Sequence, residues 1–347
     1  MTATFANQGV SPQHIADAFA RALSLARAYE GATAPNPPVG CVLLDAAGRT
    51  LAEGAHQRAG MPHAEAQAIE AVRAAGMADA IDTVVVTLEP CNHHGRTPPC
   101  AETILATGAR QVWIACRDPN PQVVGGGAER LLAAGIGVHF LADLDHPAAV
   151  PLHAEAERLL APFARRSRTG LPFITIKQAV SSAGSMIPPA GRKTFTSAIS
   201  LDLAHCLRRQ SDAILTGSGT VLADGPLFTV RRVPDHPGKH RMLVILDRRG
   251  RIADEYVLAA LQRGFAVHRA RDAQEALAMI GAAGGLAVLV EAGPALTGSL
   301  LDAGLWDEHV LIEQAANPDR TDRVTIRRNT SREILPNQEE ANVFRHH

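Results

Sequence analysis

Short runs of β-branched and aliphatic residues, such as 83–88 (TVVVTL) and 111–116 (QVWIAC), alternate along this chain with longer stretches whose apolar residues recur at helical spacing. A run of six is too short for a core helix, and its nearly unbroken apolar character fits a strand buried on both faces. Such alternation implies mostly parallel sheets covered by helices, the α/β class. It occurs twice. In the first half, Ser11 and Pro12 open a helix with apolar positions at Ile15, Phe19, Leu23 and Ala26, ended by Gly31. Strands are expected at 39–44, 83–88, 111–116 and 136–140, with helices over 63–75 and from Pro98-Pro99-Cys100 to Gly108. The second half is expected to place strands at 173–180, 213–216, 242–246, 286–291 and 309–312 and helices at 200–209, 273–280 and 296–303. Between them lie a helical stretch, 153–160, and the basic run Arg165-Arg166-Ser167-Arg168. The expected partition is a domain over 11–147, a linker helix and loop over 148–170, a domain over 171–316, and a divergent segment over 317–347. That last segment, poor in apolar anchors, reads as a peripheral strand and tail.

A length of 347 residues with 46% apolar content suits two cores. Thirty-four Lys and Arg against thirty-five Asp and Glu leave a net charge of −1, so no global positive field exists to hold a nucleic acid backbone. Aromatics at 4% would make any base-stacking surface small. No eighteen-residue apolar run and no basic-then-apolar leader is present, which predicts a soluble, unsecreted protein without a membrane partner. Five scattered cysteines are too few for a disulfide framework and fit a reducing compartment, the cytoplasm.

The chemistry concentrates in His63-Ala64-Glu65, Pro90-Cys91 and Cys100. One imidazole and two thiols at two helix starts and an intervening loop make three ligands for a tetrahedral zinc, with a fourth position for water. The partial positive charge of helix N-termini favours the thiolates that zinc requires. Glu65, two residues past His63, can hang beside the metal without ligating it. Zinc lowers the pKa of its bound water to about 7, so this carboxylate could take that proton and deliver it to a ring nitrogen and a departing amine. That is the logic of hydrolytic deamination. The H-x-E half of the general zinc-deaminase signature is present; in place of P-C-x-x-C, eight residues separate Cys91 from Cys100. The competing reading is a closed structural site with His93 or His94 as fourth ligand, which leaves Glu65 without a purpose. Cys41, Cys116 and Cys206 read as small buried hydrophobes.

PNPPVG at 35–40, HQRAGMPHAE at 56–65, TLEPCNHHGRTPPC at 87–100 and RDPNPQVVGGG at 117–127 closely resemble the deaminase half of the bifunctional riboflavin-biosynthesis deaminase/reductase family. The resemblance implies a cytidine-deaminase-like three-layer α/β/α domain, zinc on His63, Cys91 and Cys100, and Glu65 as proton shuttle. It further implies the substrate 2,5-diamino-6-(5-phosphoribosylamino)pyrimidin-4(3H)-one, held by Asn36, His56, Arg96 and Asn120. An amide in a proline-stiffened loop can fix a pyrimidine edge, and a guanidinium suits a phosphate or ribose oxygen.

TGSGTVLADGPLFTVR at 216–231 and VEAGPALTGSLLDAGLWDE at 290–308 resemble the reductase half of the same family, whose fold is like dihydrofolate reductase. The resemblance implies NADPH as hydride donor to the ribose carbon of the deaminated product. Thr220, Asp224 and the loop Gly293, Pro294, Ala295, Leu296, Thr297 and Gly298 would contact the dinucleotide; Arg208, Phe228, Arg231 and Glu291 would face the substrate. It also favours a homodimer. The chain departs from the family pattern at Ser181-Ser182-Ala183-Gly184-Ser185, which lacks an acid and a base, at Thr194 where a Trp is common, and beyond Gln314, where no glycine-rich continuation follows. A deaminase with a degenerate reductase domain is therefore one alternative, and a non-catalytic zinc and nucleotide-binding protein another.

Overall fold

The computed structural model describes residues 9–92, 98–120, 126–188, 191, 194–316 and 321–332. The chain divides into two compact units, Met1–Ser167 and Arg168–His347.

The first unit is built on a five-stranded sheet. Its elements are α1 (Pro12–Ala28), β1 (Gly40–Leu44), β2 (Thr50–Ala55), α2 (Ala64–Ala74), β3 (Thr83–Leu88), α3 (Cys100–Leu105), β4 (Gln111–Cys116), α4 (Gly127–Ala133), β5 (Gly137–Phe140) and α5 (Ala149–Thr169). The order is β2-β1-β3-β4-β5, with β1 antiparallel to both neighbours and β3, β4 and β5 parallel. β1 and β3 are buried along their whole length because helices cover both faces. One apolar layer joins Phe19 and Leu23 of α1 with Leu159 and Leu160 of α5; the other joins Ile69 of α2, Ile104 of α3 and Leu131 of α4. The stretch expected as a linker is thus a 21-residue helix contributing to the first core, and the basic Arg165-Arg166 pair lies in its last turns, where cations suit the carbonyl end of a helix. Two glycines set the layer spacing near the site. A Cβ on Gly54 would stand 2.1 Å from the Ala64 carbonyl oxygen of α2, and one on Gly127 would lie 1.8 Å from that of Pro90.

The second unit carries a seven-stranded sheet. Its elements are β6 (Phe173–Val180), α6 (Ala198–Gln210), β7 (Ala213–Gly217), α7 (Ser218–Asp224), β8 (Arg241–Leu246), α8 (Asp254–Gln262), β9 (Phe265–Ala270), α9 (Ala273–Ala282), β10 (Ala287–Val290), α10 (Pro294–Asp302), β11 (Glu308–Glu313) and β12 (Arg323–Arg328). The order is β12-β11-β6-β10-β7-β8-β9, parallel except for β12. Leu207 of α6, Val221 of α7 and Ala260 of α8 pack on one face, and Leu277 of α9 and Leu300 of α10 on the other. The helices following β7 and β10, adjacent strands, therefore leave to opposite faces. That is a topological switch point, the place where open α/β sheets bind ligands beyond their strand ends. The segment beyond 316 contributes β12 to the sheet as an edge strand.

Candidate active sites

His63 caps the start of α2 in extended conformation without using its ring as a cap, so the imidazole is free for another partner. Cys100 is the first residue of α3, and Cys91 lies just past the end of β3, after Glu89 and Pro90. His63 Nδ1 lies 3.6 Å from Cys91 Sγ and 3.4 Å from Cys100 Sγ, and all three donor atoms fall within 4.8 Å of one another. Tetrahedral zinc, with bonds of about 2.3 Å to sulfur and about 2.0–2.1 Å to nitrogen, sets nitrogen and sulfur roughly 3.6 Å apart. The donor set therefore fits that ion. Electrostatics agree. Cys91 is pushed down to about 4 by the Cys100 thiol, by His63 and by the Cys100 N–H, which donates to its sulfur at 3.3 Å. With that anion in place and burial added, Cys100 is driven far upward. A second thiolate needs a cation between the two.

Glu65, in the first turn of α2, is 3% exposed, and burial raises its carboxyl to about 6 despite the opposing effect of His63. A proton acceptor tuned toward neutrality beside the three donors is what a shuttle requires. His56 is buried and its ring meets that of His63 edge-on at 5.3 Å between centroids. Its Nδ1–H donates to the Pro62 carbonyl at 3.3 Å, which leaves Nε2 to accept from Asn36 Nδ2 at 3.2 Å. Burial lowers its pKa, in keeping with this neutral tautomer. Asn120 is half-buried, in a loop turned by its own N–H to Asp118 Oδ1 at 2.9 Å. Arg96, with His93 and His94, lies outside the described residues.

In the second unit, Lys177 of β6 and Glu291, just past β10, stand at the strand ends beside Arg208 of α6. Glu291 is buried; burial alone would raise its carboxyl, but Lys177, at 3.0 Å, and Arg208 outweigh that and hold it at about 2. Arg208 embraces it with two nitrogens, Nη2 at 2.9 Å. One strand further on, Thr220 Oγ1 accepts the Gly293 N–H at 2.9 Å, tying the start of α7 to the start of α10. Free N–H groups at a helix start suit cofactor phosphates. That exposed first turn, with the Thr220-braced Gly293, fits a dinucleotide.

Residues 13–116 match the cytidine and deoxycytidylate deaminase zinc-binding region, and residues 172–313 the RibD C-terminal domain. The riboflavin biosynthesis protein RibD of Escherichia coli is 36% identical over 325 residues, 84% of this chain and 85% of that protein. RibD of Mycobacterium tuberculosis is 38% identical over 290 residues, covering 82% and 81%. The chain belongs to the RibD family. Among solved structures, the deaminase/reductase of Thermotoga maritima aligns with a TM-score of 0.75 at 30% identity over 90% of each chain. RibD of Acinetobacter baumannii aligns at 0.73 and 27% identity over 93% of this chain and 94% of that one. The expected pairing of a deaminase fold with a reductase fold is what these RibD structures share with this chain.

Several residues carried over from the RibD pattern sit otherwise than expected. Phe228 has a φ of +55° and is 2% exposed, its ring packed with Ile214, Val221 and Leu243, so any contact it makes to a substrate runs through its backbone. The stretch Gly293–Gly298 is a helix start and not a loop. Thr297 is buried with its hydroxyl on the Ala292 carbonyl, Leu296 packs against the second core, and Gly298 lies inside α10. The N–H groups of Ala295 and Leu296 precede the first intrahelical bond of α10, Thr297 N–H to the Gly293 carbonyl at 3.1 Å, and are the donors of that group placed for a ligand. Glu291 pairs with both Lys177 and Arg208, so it fixes those two cations at the strand ends. Asp224 is exposed at the end of α7, and Arg231 is exposed with its backbone N–H on His205 Nδ1 at 2.9 Å. Burial, then Arg208 and Arg231, pushes His205 down to about 4, so it stays a neutral acceptor. The divergent turn Ser181–Ser185 closes without its missing acid and base, through Ser181 N–H to the Ser185 carbonyl and Gly184 N–H to the Ser181 carbonyl, both 2.8 Å. Lys177 and Glu89 escaped the sequence reading. Lys177 had one signal, a lone cation following Ile174 and Ile176 in an apolar strand. Glu89 bridges two elements, accepting from Asp118 N–H at 3.3 Å and Ala128 N–H at 3.1 Å.

Proposed function

We propose that this chain performs both RibD reactions in sequence: hydrolytic deamination of 2,5-diamino-6-(5-phosphoribosylamino)pyrimidin-4(3H)-one, then NADPH-dependent reduction of the ribosyl group of the product to ribityl. The observation that carries the first step is the triangle of His63, Cys91 and Cys100 with a buried carboxyl beside it. When bound there, zinc is a Lewis acid that makes water nucleophilic at neutral pH. Glu65 takes one proton from the attacking water to the ring nitrogen, then moves the second, from the new carbon-bound hydroxyl, to the amine, which leaves as ammonia when the C–N bond breaks. Asn36 is oriented by its bond to His56, which leaves its carbonyl oxygen for a ring or amino N–H of the pyrimidine. Asn120 and Arg96 complete the substrate set, Arg96 suiting the phosphate or ribose.

In the second unit, NADPH supplies a hydride. Its phosphates are assigned to the N–H groups of Ala295 and Leu296 at the start of α10, with Gly293 and Pro294 shaping the approach and Thr220 as the brace. Asp224, at the far end of α7, is retained as a contact to the dinucleotide. Arg208, fixed by Glu291, and Arg231, placed by His205, are assigned to the phosphorylated sugar. Lys177 is the ammonium nearest the strand ends at that place and suits protonation of the ribose oxygen as the sugar opens. No helix among the described residues is long and apolar enough to cross a membrane. A cytoplasmic homodimer with no nucleic acid partner is the assembly proposed, on the near-neutral net charge and the scattered thiols.

The test follows ammonia and NADPH together in one cuvette. Ammonia should appear first and cease on zinc chelation, and NADPH should be consumed only after deamination. Ammonia release without NADPH consumption on the supplied aminouracil product would leave a deaminase with a degenerate reductase domain. Zinc retention with no ammonia release would leave a non-catalytic binding protein.

A further inference from the structure

His56 and His63 are joined by an exposed loop, 57–62, turned by the Met61 N–H on the Arg58 carbonyl at 3.1 Å. The last carbonyl of that loop, on Pro62, precedes the N-cap of α2 and lies outside the helical ladder, whose first bond runs from the Gln67 N–H to the His63 carbonyl. It accepts two side-chain donors instead, the His56 ring at 3.3 Å and Gln67 Nε2 at 3.0 Å. Gln67 is half-buried on α2, one turn beyond His63. Its Nε2 also donates to the Ala55 carbonyl at 2.7 Å, the peptide immediately before His56. Both partners of that nitrogen are carbonyl oxygens, which fixes the orientation of the amide; Oε1 turns away toward Gln57 Nε2 at 3.5 Å. One side chain therefore ties together the two ends of an exposed loop.

The consequence reaches Asn36. The main chain there is already held, since the Asn36 N–H donates to the Thr33 carbonyl at 3.0 Å and the Asn36 carbonyl accepts Thr33 Oγ1 at 2.8 Å. What remains to be set is which end of its amide faces His56. His56 Nε2 can accept from Asn36 Nδ2 only while the ring proton sits on Nδ1, and the Pro62 carbonyl selects that tautomer. With the other tautomer, Nε2–H would call for the Asn36 oxygen, and the amide would turn its NH₂ toward the pyrimidine. A ring or amino N–H of the substrate would then meet a donor. Without Gln67, the carbonyl that decides between these states stands at the end of an exposed loop with the His56 ring as its remaining partner among the described residues.

We propose that Gln67 is a positioning residue of the deaminase: by holding the Ala55 and Pro62 carbonyls it keeps the His56 ring proton on Nδ1 and the Asn36 carbonyl oxygen toward the pyrimidine. The proposal rests on the reading that Asn36 meets the pyrimidine edge. The test compares Gln67→Met, which keeps the length and helix propensity of the side chain but has no donor, with Asn36→Ala and the double variant, all as the full chain. Ammonia release is measured together with zinc by metal analysis, the circular dichroism melt, and NADPH consumption on supplied aminouracil product as an internal control. Gln67→Met should raise the deaminase KM roughly three- to tenfold and leave kcat within about twofold, with zinc, melt and NADPH consumption unchanged. In the Asn36→Ala background the same substitution should lower kcat/KM by less than about twofold, because the group it orients is gone. An unchanged KM overturns the proposal. So does an equal loss in both backgrounds, which would make Gln67 a general brace of α2, or a loss of zinc, which would place its effect on His63. An Asn36→Ala variant with the wild-type KM overturns the reading of Asn36, and a wild type that releases no ammonia overturns the deaminase itself; the proposal falls with either.

Discussion

Replacing Glu291 by Gln tests how the reductase unit holds its cations. The carboxylate is buried between Lys177 and Arg208, whose side chains are 18% and 13% exposed. Glutamine keeps the volume and removes the charge, leaving two cations side by side. The fall of the carboxyl from 4.5 to about 2 corresponds to roughly 3 kcal/mol of stability. Breaking one side of a buried ion pair costs about 3–5 kcal/mol in general, so the two routes meet near 3. Because the folded-state value lies below the unfolded one, this contribution is complete above about 4.5 and is lost as the pH falls through about 2. The chain has two tryptophans, Trp113 in the first unit and Trp306 in the second, so a Trp113→Phe background lets fluorescence report the second unit. With a urea slope of about 2 kcal/mol per molar, Glu291→Gln should lower the unfolding midpoint by about 1.5 M at pH 7, and the gap should narrow as the pH drops toward 3. An unchanged midpoint at pH 7, or a gap that widens in acid, would refute the reasoning.

Glu65→Gln should retain zinc by metal analysis while ammonia release falls by about 10²- to 10⁴-fold; loss of zinc in that variant would instead make Glu65 a ligand. Stripping the metal should expose Cys91 as a thiolate at pH 7, so iodoacetamide should label it well ahead of Cys116, whose thiol burial pushes up to about 12, and zinc should block the labelling. Peptide mapping that finds the two labelled equally would count against the site. Glu89→Gln removes the charge from a carboxylate holding two backbone N–H groups and should cost about 1–2 kcal/mol. It should raise the deaminase KM by loosening the Asn120 loop, and an unaltered KM would reduce Glu89 to a structural brace.

The alternation of buried strands and amphipathic helices was legible because central strands such as β3 and β4 carry nearly continuous apolar runs, and parallel strands buried on both faces must. Two of the four edge strands were not legible. β2 (TLAEGA) and β9 (FAVHRA) each have exposed or half-buried residues at most positions, so neither period nor composition set them apart from loops. The zinc ligands were legible because imidazole and thiol at element starts are rare and chemically specific. Glutamate is neither. Glu65, Glu89 and Glu291 each sit at the end of a strand or the start of a helix, and each is buried. Glu65 has burial as its dominant influence and rises to about 6, which suits it to moving protons. Glu89 spends its oxygens on the N–H groups of Asp118 and Ala128, up to 39 residues away, and is a brace. Glu291 meets Lys177 and Arg208 and is held at about 2, which suits a permanent counter-ion and excludes a proton carrier at neutral pH. In one dimension the three are the same letter; their work is set by partners that only the folded sheet brings to them.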